Sequence, residues 1–149
     1  FDNENLNLGQ DGFHFGYPQG KPAAVHSSLL GRANINPGRG TRHKEPVLAW
    51  AEVRRVPNLS GSLGGISGGP VVNEDGEIIG VSVVEARRRG RIFTAAPLGL
   101  DEMLQRGAVP KPLDSGIKFK NSINENQFFK YGEALRTQLS VSKVYCWVQ

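Results

Sequence analysis

The stretch GSLGGISGGPVV, residues 61–72, decides how the rest of the chain is interpreted. Five of its twelve residues are glycine and one is proline. Ordering so many glycines costs conformational entropy, so a fixed conformation here needs a reason. One such reason is to point backbone N–H groups into a shared concavity that binds a negatively charged oxygen. The stretch therefore predicts Ser67 as a nucleophile and the N–H groups of Gly65 and Ser67 as oxyanion donors. A glycine-rich hairpin with an incidental serine is the alternative.

The pattern Gly-x-Ser-x-Gly around Ser67 fits two nucleophile motifs. In a nucleophile elbow the serine stands between a strand and a helix, but here Gly-Gly-Pro (residues 68–70) and then two valines follow. Two glycines start a helix poorly and valines favour a strand, which excludes the elbow. Gly-x-Ser-Gly-Gly-Pro followed by a strand resembles the nucleophile motif of trypsin-like serine proteases, which use a Ser-His-Asp triad.

A second resemblance lies upstream of the serine. Residues 16–22 read GYPQGKP, Val25 follows two alanines later, and residues 30–32 read LGR. This pattern resembles the opening hairpin of the second barrel in HtrA-like bacterial proteases. Together the two resemblances span roughly residues 10–107 and imply the whole second barrel of a trypsin-like protease.

The strand-forming segments predict an all-β fold, a six-stranded antiparallel β-barrel with a short C-terminal helical extension. The segments are residues 13–18, 23–32, 46–56, 70–73, 77–84 and 91–96. Residues 98–107 read as the short helix that ends this fold. Three regions follow: a linker or frayed N-terminus at 1–12, the barrel at 13–107, and an extension of unknown role at 108–149. In the extension, helical spacing of apolar residues predicts one helix at 125–139, and residues 141–148 alternate roughly as a strand.

The resemblance also implies that the triad is incomplete in this chain. In the trypsin-like fold, the histidine and the aspartate come from a first barrel, which these 149 residues do not include. None of the three histidines (His14, His26 and His43) has the sequence context of the catalytic base, so each is expected to be a surface or barrel-lining residue. The expected partner is an N-terminal barrel that carries the missing histidine and aspartate, and the isolated chain is expected to be inactive.

Further site residues are implied by the resemblance alone. The strand at residues 81–85, with Val83, Val84 and Glu85, would pair with an extended peptide substrate. Gly61, Ser62 and Gly64 would form one wall of the primary specificity pocket, and the segment beginning at Arg91 would form the other. Gly61 stands near the position at which trypsin carries an acidic group, so the sequence does not support specificity for lysine or arginine. Arg91 either favours an acidic or polar substrate residue or is a solvated loop residue.

One departure from the family concerns the residue before the serine. Many members have aspartate there, which pairs with a freed N-terminal amine, and the HtrA-like branch usually has asparagine. This chain has Ile66. Activation through that ion pair is therefore not expected, and an apolar side chain could set the oxyanion loop differently or leave it disordered.

The composition of the chain bears on disulfides, membrane association and cofactors. Cys146 is the only cysteine, which excludes an internal disulfide, and the formal net charge is +4. No apolar run approaches the length of a membrane span, so no membrane partner is expected. Neither a metal-ligand cluster nor a phosphate-binding loop occurs, and no cofactor is expected. The chain begins with Phe1. Its resemblance to HtrA-like bacterial proteases implies a periplasmic or secreted protein.

The sequence therefore predicts a serine endopeptidase that hydrolyses peptide bonds of a peptide or protein substrate through an acyl-enzyme on Ser67. The alternative is a catalytically inactive, protease-like module that binds peptides, which Ile66 and the missing base favour. Basic groups at residues 39–44, 54–55 and 87–91 also allow binding of a polyanion. Nucleic acid is not expected as a partner, because no aromatic residues are interleaved with these charges.

Overall fold

Six strands and two α-helices make up the computed structural model, which describes residues 6–36, 44–86, 90–107 and 122–145. The strands are β1 (Asp11–Gly16), β2 (Ala23–Ile35), β3 (Glu45–Val56), β4 (Pro70–Val72), β5 (Ile78–Ala86) and β6 (Arg91–Ala95). The helices are α1 (Pro97–Arg106) and α2 (Phe128–Thr137), and a single 3-10 turn lies between β1 and β2 at Pro18–Gly20. Neither α-helix has the length and apolar character that crossing a membrane requires.

The strands close into an antiparallel barrel in the order β1-β2-β3-β6-β5-β4, with β4 paired back to β1. The predicted all-β fold, a six-stranded antiparallel barrel with a short helix near the C-terminus, is therefore confirmed. β1 begins at Asp11, inside the segment predicted as a linker. Asp11 and Gly12 pair with Ser28 and Ser27 of β2, and the Asp11 carboxylate lies 2.8 Å from His26 Nε2. These contacts order the strand two residues earlier than predicted.

β1 is buried on both of its faces. Buried and exposed residues therefore do not alternate along it, as they would in a strand with one face in solvent. His14 points into the barrel and makes an edge-to-face contact with Trp50 at 5.7 Å between ring centroids. Phe13 and Phe15 point outward and are nevertheless fully buried, because they belong to a second apolar cluster outside the barrel. The strand therefore separates two cores.

The second core is completed by α2 and the segments that flank it. Phe128 stacks on Phe13 with ring centroids 5.7 Å apart, and Tyr131 lies against Phe15 at 5.5 Å. A Cβ on Gly132 would lie 2.6 Å from a ring carbon of Phe15, so the absence of a side chain lets the helix approach β1 closely. The helix of the extension, predicted at 125–139, spans Phe128–Thr137 and packs on the barrel.

The segment after α2 does not form the strand that its alternation suggests. Residues 141–145 have no strand pairing, and residues 146–149 lie outside the described part of the chain. Val141 is buried against the second core, and the N–H groups of Ser140 and Val141 donate to Leu135 O at 2.9 and 3.3 Å. These contacts tie residues 140 and 141 to α2 and not to a strand edge, so the predicted strand does not form over residues 141–145.

Candidate functional site

The nucleophile loop, residues 61–69, connects β3 to β4 and is held by two inward side chains. Leu63 and Ile66 are buried in the barrel core, where they contact residues such as Trp50 and Val71. Burial of side chains of this size contributes about 1.5–3 kcal/mol each. Ser67, next to Ile66, is exposed. Ile66, which stands where many family members have aspartate, therefore anchors the loop in the barrel core and holds Ser67 at the surface. The loop has a defined conformation with this apolar residue.

The backbone N–H groups of residues 63–69 of this loop separate into two sets. Most of them donate hydrogen bonds: Leu63 to Glu85 Oε2 (2.9 Å), Gly64 to Ser62 Oγ (2.9 Å), Ile66 to Leu63 O (2.9 Å), Gly68 to Ser82 O (2.8 Å) and Gly69 to Ile66 O (2.9 Å). In the described part of the chain, the N–H groups of Gly65 and Ser67 have no acceptor. These two exposed residues are the pair predicted as oxyanion donors, and unpaired N–H groups two residues apart can bind one oxygen atom.

Glycine is required at two positions of the loop for different reasons. Gly65 has φ +99°, and a Cβ there would lie 2.7 Å from the carbonyl oxygen of Tyr17. At Gly69 a Cβ would overlap the carbonyl oxygen of Phe15. The loop therefore passes directly beside the end of β1, and larger residues would push it away.

Three side chains from three elements fix the loop before the serine. From β3, Arg55 donates to the carbonyl oxygens of Leu59 and Gly61, both at 3.0 Å, while two of its nitrogens bind the Glu52 carboxylate. From the 3-10 turn, Gln19 Nε2 donates to the carbonyl oxygens of Ser60 (2.8 Å) and Ser62 (2.9 Å). From β5, Glu85 accepts from Ser62 Oγ at 3.0 Å and from Leu63 N at 2.9 Å.

The chain has a single cysteine, so these contacts hold the loop without an internal disulfide. A buried or half-buried hydrogen bond to a charged group contributes about 1.5–3 kcal/mol. Of the anchoring residues, sequence reasoning predicted Glu85 only as a part of the substrate-binding strand, and it missed Arg55 and Gln19. No sequence signal marks them, because each contacts the loop through the fold.

The hydroxyl of Ser67 donates to the carbonyl oxygen of Val83 on β5 at 3.0 Å. The two described histidines are occupied elsewhere. His14 is fully buried in the barrel, where its ring nitrogens lie 2.6 Å from Ser27 Oγ and 3.2 Å from Ser82 Oγ. Burial, with a smaller contribution from His26, lowers the pKa of His14 to about 3. His26 is bonded to Asp11, and His43 lies outside the described residues.

The remaining predicted site residues lie around Ser67 on β5 and β6. Val83 contacts the serine directly, Val84 is 44% exposed, and Glu85 binds the loop wall at residues 62–63. Arg91 begins β6, paired with Ala51 of β3 and Ala86 of β5. Ser62 and Gly64 are linked to each other through Ser62 Oγ. The fold thus brings the serine, the loop wall and β5 together.

A cleft of about 390 Å³ opens on one side of Ser67. Its described lining comes from three parts of the chain: Gly16, Tyr17 and Gly20, the loop at residues 65–70, and the segment at residues 140–144. The third part belongs to the extension, for which the sequence predicted no functional role. The C-terminal segment therefore forms one wall of the cleft that contains the serine.

The described residues hold no group of three His, Cys, Asp or Glu side chains suited to a metal ion. Two of the basic groups considered for polyanion binding include residues 39–43 and 87–89, which lie outside the described part of the chain. In the third group, Arg55 is engaged with Glu52 and the nucleophile loop. The charge of Arg55 is therefore neutralised by Glu52, and its guanidinium group holds the nucleophile loop.

Comparisons with known proteins identify the family of the chain. Curated protein sequences contain no match. Among solved structures, the inactive form of Rv3671c protease has 20% identity and a TM-score of 0.55, covering 71% of this chain and 52% of that chain. The active form of Rv3671c protease from M. tuberculosis has 20% identity and a TM-score of 0.59, covering 76% of this chain and 49% of that chain. This protein thus spans about half the length of these structures, which share its fold. Residues 1–81, more than half of the sequence, match the trypsin-like peptidase domain, and the chain belongs to that family.

Proposed function

We propose that this chain is the nucleophile-bearing half of a serine endopeptidase that hydrolyses peptide bonds through an acyl-enzyme on Ser67. One observation carries the proposal. Among residues 63–69, where the other N–H groups are paired, the N–H groups of Gly65 and Ser67 are left unpaired beside an exposed serine hydroxyl. Binding of a peptide alone requires no such arrangement, whereas stabilising a tetrahedral oxyanion does.

In the proposed reaction, Ser67 Oγ attacks the carbonyl carbon of the scissile peptide. The carbonyl oxygen becomes the oxyanion and accepts from the N–H groups of Gly65 and Ser67. The proton of Ser67 passes to a histidine on the N-terminal barrel, which an aspartate of the same barrel orients, and the histidine then gives it to the leaving amine. Water then hydrolyses the acyl-enzyme, which releases the acyl part of the substrate and restores the Ser67 hydroxyl. This chain supplies the nucleophile and the oxyanion donors, and the missing barrel supplies the base.

The substrate is proposed to run as an extended strand beside β5, along Val83, Val84 and Glu85. Its primary side chain would enter between the wall of Gly61, Ser62 and Gly64 and the start of β6 at Arg91. In this arrangement a substrate N–H would donate to the Val83 carbonyl oxygen, which accepts from Ser67 Oγ in this structure. The protein is further proposed to act in the periplasm or as a secreted protein.

The test uses the full-length protein that contains this chain, with Ser67→Ala as the matched variant. The wild type is expected to cleave casein and to be labelled by a fluorophosphonate probe, and the variant is expected to do neither. A tryptic peptide that contains a labelled Ser67 would identify the nucleophile. If the folded wild type neither cleaves nor is labelled, the peptidase proposal is wrong.

A second candidate function is a peptide-binding module without catalysis. It is favoured by the resting contact of Ser67 Oγ with Val83 O and by the engagement of His14 and His26 inside the fold. In that case Ser67→Ala would leave peptide affinity unchanged, and no probe would label the wild type.

A further inference from the structure

The segment that follows α2, residues 140–144, is a fixed part of the cleft beside Ser67. Val141 is buried in the second core, and Ser140 and Val141 are hydrogen-bonded to Leu135 O. Further along, Lys143 Nζ donates to the carbonyl oxygen of Gly20 at 3.1 Å. The segment is therefore attached both to the helix behind it and to the β1–β2 turn across the cleft.

Lys143 is the one charged residue among the described residues that line this cleft. Its described contacts are the Gly20 carbonyl oxygen and the ring of Tyr145, whose centroid lies 4.5 Å from Nζ. In the described part of the chain, no carboxylate lies within ion-pairing distance of it. An ammonium group has three N–H donors, so one hydrogen bond to a carbonyl leaves capacity for an anionic ligand.

The cleft is separate from the proposed acyl-binding strand. Its described lining includes no residue of β5 and none of residues 61–64. If the acyl part of the substrate occupies β5 and the pocket wall at 61–64, the chain continues past Ser67 and the oxyanion donors toward the β1–β2 turn. The leaving-group part of the substrate is then the part that reaches the cleft.

We propose that this cleft binds the leaving-group side of the substrate and that Lys143 is a specificity-determining residue, which selects a carboxylate there. The carboxylate is either the side chain of an aspartate or glutamate just after the scissile bond or the C-terminal carboxylate of a short leaving group. This inference rests on the proposed peptidase function. It assigns a role to a segment beyond the part of the chain that matches the family.

The first experiment compares cleavage of three fluorogenic peptide series by the full-length protein. The series share one acyl part and carry, after the scissile bond, an acidic residue, alanine, or a terminal carboxylate. For the wild type, kcat/KM is expected to be about two- to fivefold higher with a carboxylate, as for a partly exposed ion pair. Lys143→Gln should abolish this preference, so that the ratio of kcat/KM between the carboxylate and alanine peptides falls to about one. Lys143→Glu should reverse it.

The matched control is Lys21→Gln. Lys21 is exposed at the end of the same 3-10 turn but does not line the cleft. It should retain the full preference, which excludes a general effect of net charge. Comparison of the two carboxylate series separates an acidic side chain from a terminal carboxylate as the selected group. Equal preference in wild type and Lys143→Gln would overturn the proposal.

A binding experiment keeps this inference distinguishable from the peptidase function. The full-length Ser67→Ala protein is titrated calorimetrically with tripeptides that represent the leaving group, either acidic or neutral. Tighter binding of the acidic tripeptide, lost in the double variant with Lys143→Gln, supports the role of Lys143 even if the wild type cuts nothing. Equal affinities for the two tripeptides would overturn it even in an active enzyme.

Discussion

Ser67 Oγ donates its hydrogen bond to the carbonyl oxygen of Val83, 3.0 Å away on β5. The hydroxyl therefore rests on a backbone acceptor that is too weak a base to remove its proton. In the proposed binding mode, a substrate strand on β5 would use the same carbonyl. For the proposed reaction, a base from another part of the full-length protein must turn the hydroxyl away from Val83, and substrate binding would assist by occupying that carbonyl.

The first prediction concerns the reactivity of the isolated chain. Residues 1–149 should react with a fluorophosphonate at least about 100-fold more slowly than the full-length protein, because general-base assistance typically contributes 10²–10⁴ in rate. The rates are measured by in-gel fluorescence over time, with Ser67→Ala as the background. Equal rates in the chain and the full-length protein would mean that a histidine of this chain acts as the base.

The second prediction compares two adjacent glycines. Gly68→Ala places a side chain at φ +85° where no atom lies within 4 Å, so its cost is the backbone strain alone, about 1–2 kcal/mol. Gly69→Ala adds an overlap with the carbonyl oxygen of Phe15 and should cost more than Gly68→Ala. Urea denaturation of both variants measures the difference. The same or a smaller loss for Gly69→Ala would show that the loop can move away from β1 at little cost.

The third prediction concerns the contact between β5 and the nucleophile loop. Glu85→Ala removes the acceptor of Ser62 Oγ and Leu63 N. Amide exchange of Leu63 and of Gly64, which donates to Ser62 Oγ, should therefore accelerate about tenfold or more, as for the loss of a hydrogen bond of about 1.4 kcal/mol. Glu85→Gln retains an acceptor oxygen and should show a smaller effect. Hydrogen exchange followed by mass spectrometry gives both values. Unchanged protection in Glu85→Ala would mean that Arg55 and Gln19 hold the loop without β5.

The fourth prediction uses the buried imidazole of His14, whose pKa lies near 3 instead of its ordinary 6.5. Between these values the unfolded chain binds a proton that the folded protein excludes. The contribution of His14 to stability is therefore complete above pH 6.5 and is lost as the pH falls from 6.5 toward 3, by up to about 1.4 kcal/mol per pH unit.

The measurement is the free energy of unfolding by urea at pH 7, 6, 5 and 4, for the wild type and His14→Asn. Asparagine removes the titrating group, so the difference in stability between the two proteins should shrink as the pH is lowered. A difference that stays constant with pH would mean that His14 can be protonated inside the folded barrel.

Much of the fold was predictable because its determinants are local. The turn residues between strands set the six segments, and Gly76 in the β4–β5 turn has the positive φ of 81° that such a hairpin needs. The start of β1 was placed two residues late, because Asp11 and Gly12 are ordered by β2 and not by their own residue types. The strand expected at 141–148 does not form over residues 141–145, its described part, where Val141 is buried in the second core instead of pairing with a strand.

The candidate site likewise combines local features, which the sequence predicts, with contacts between distant parts of the chain, which it does not. Ser67 and the unpaired N–H groups of Gly65 and Ser67 lie within three consecutive residues, so a local pattern was sufficient to propose them. Arg55 and Gln19 hold the loop across the barrel, and Lys143 reaches the cleft from the far end of the chain. No spacing in the sequence predicts these contacts, because they depend on how β3, the 3-10 turn and α2 pack around one another.

Closure of the barrel through β6 has a consequence for any shortened form of this protein. The part that matches the family ends at residue 81, inside β5, and excludes β6. A chain cut there would leave β3 without the partner that covers its second edge and would leave β4 beside a severed strand. Open edges of this kind recruit strands from other molecules. A fragment chosen by family resemblance would therefore tend to self-associate before its serine could be studied, and the smallest workable unit must include residues well past the matched region.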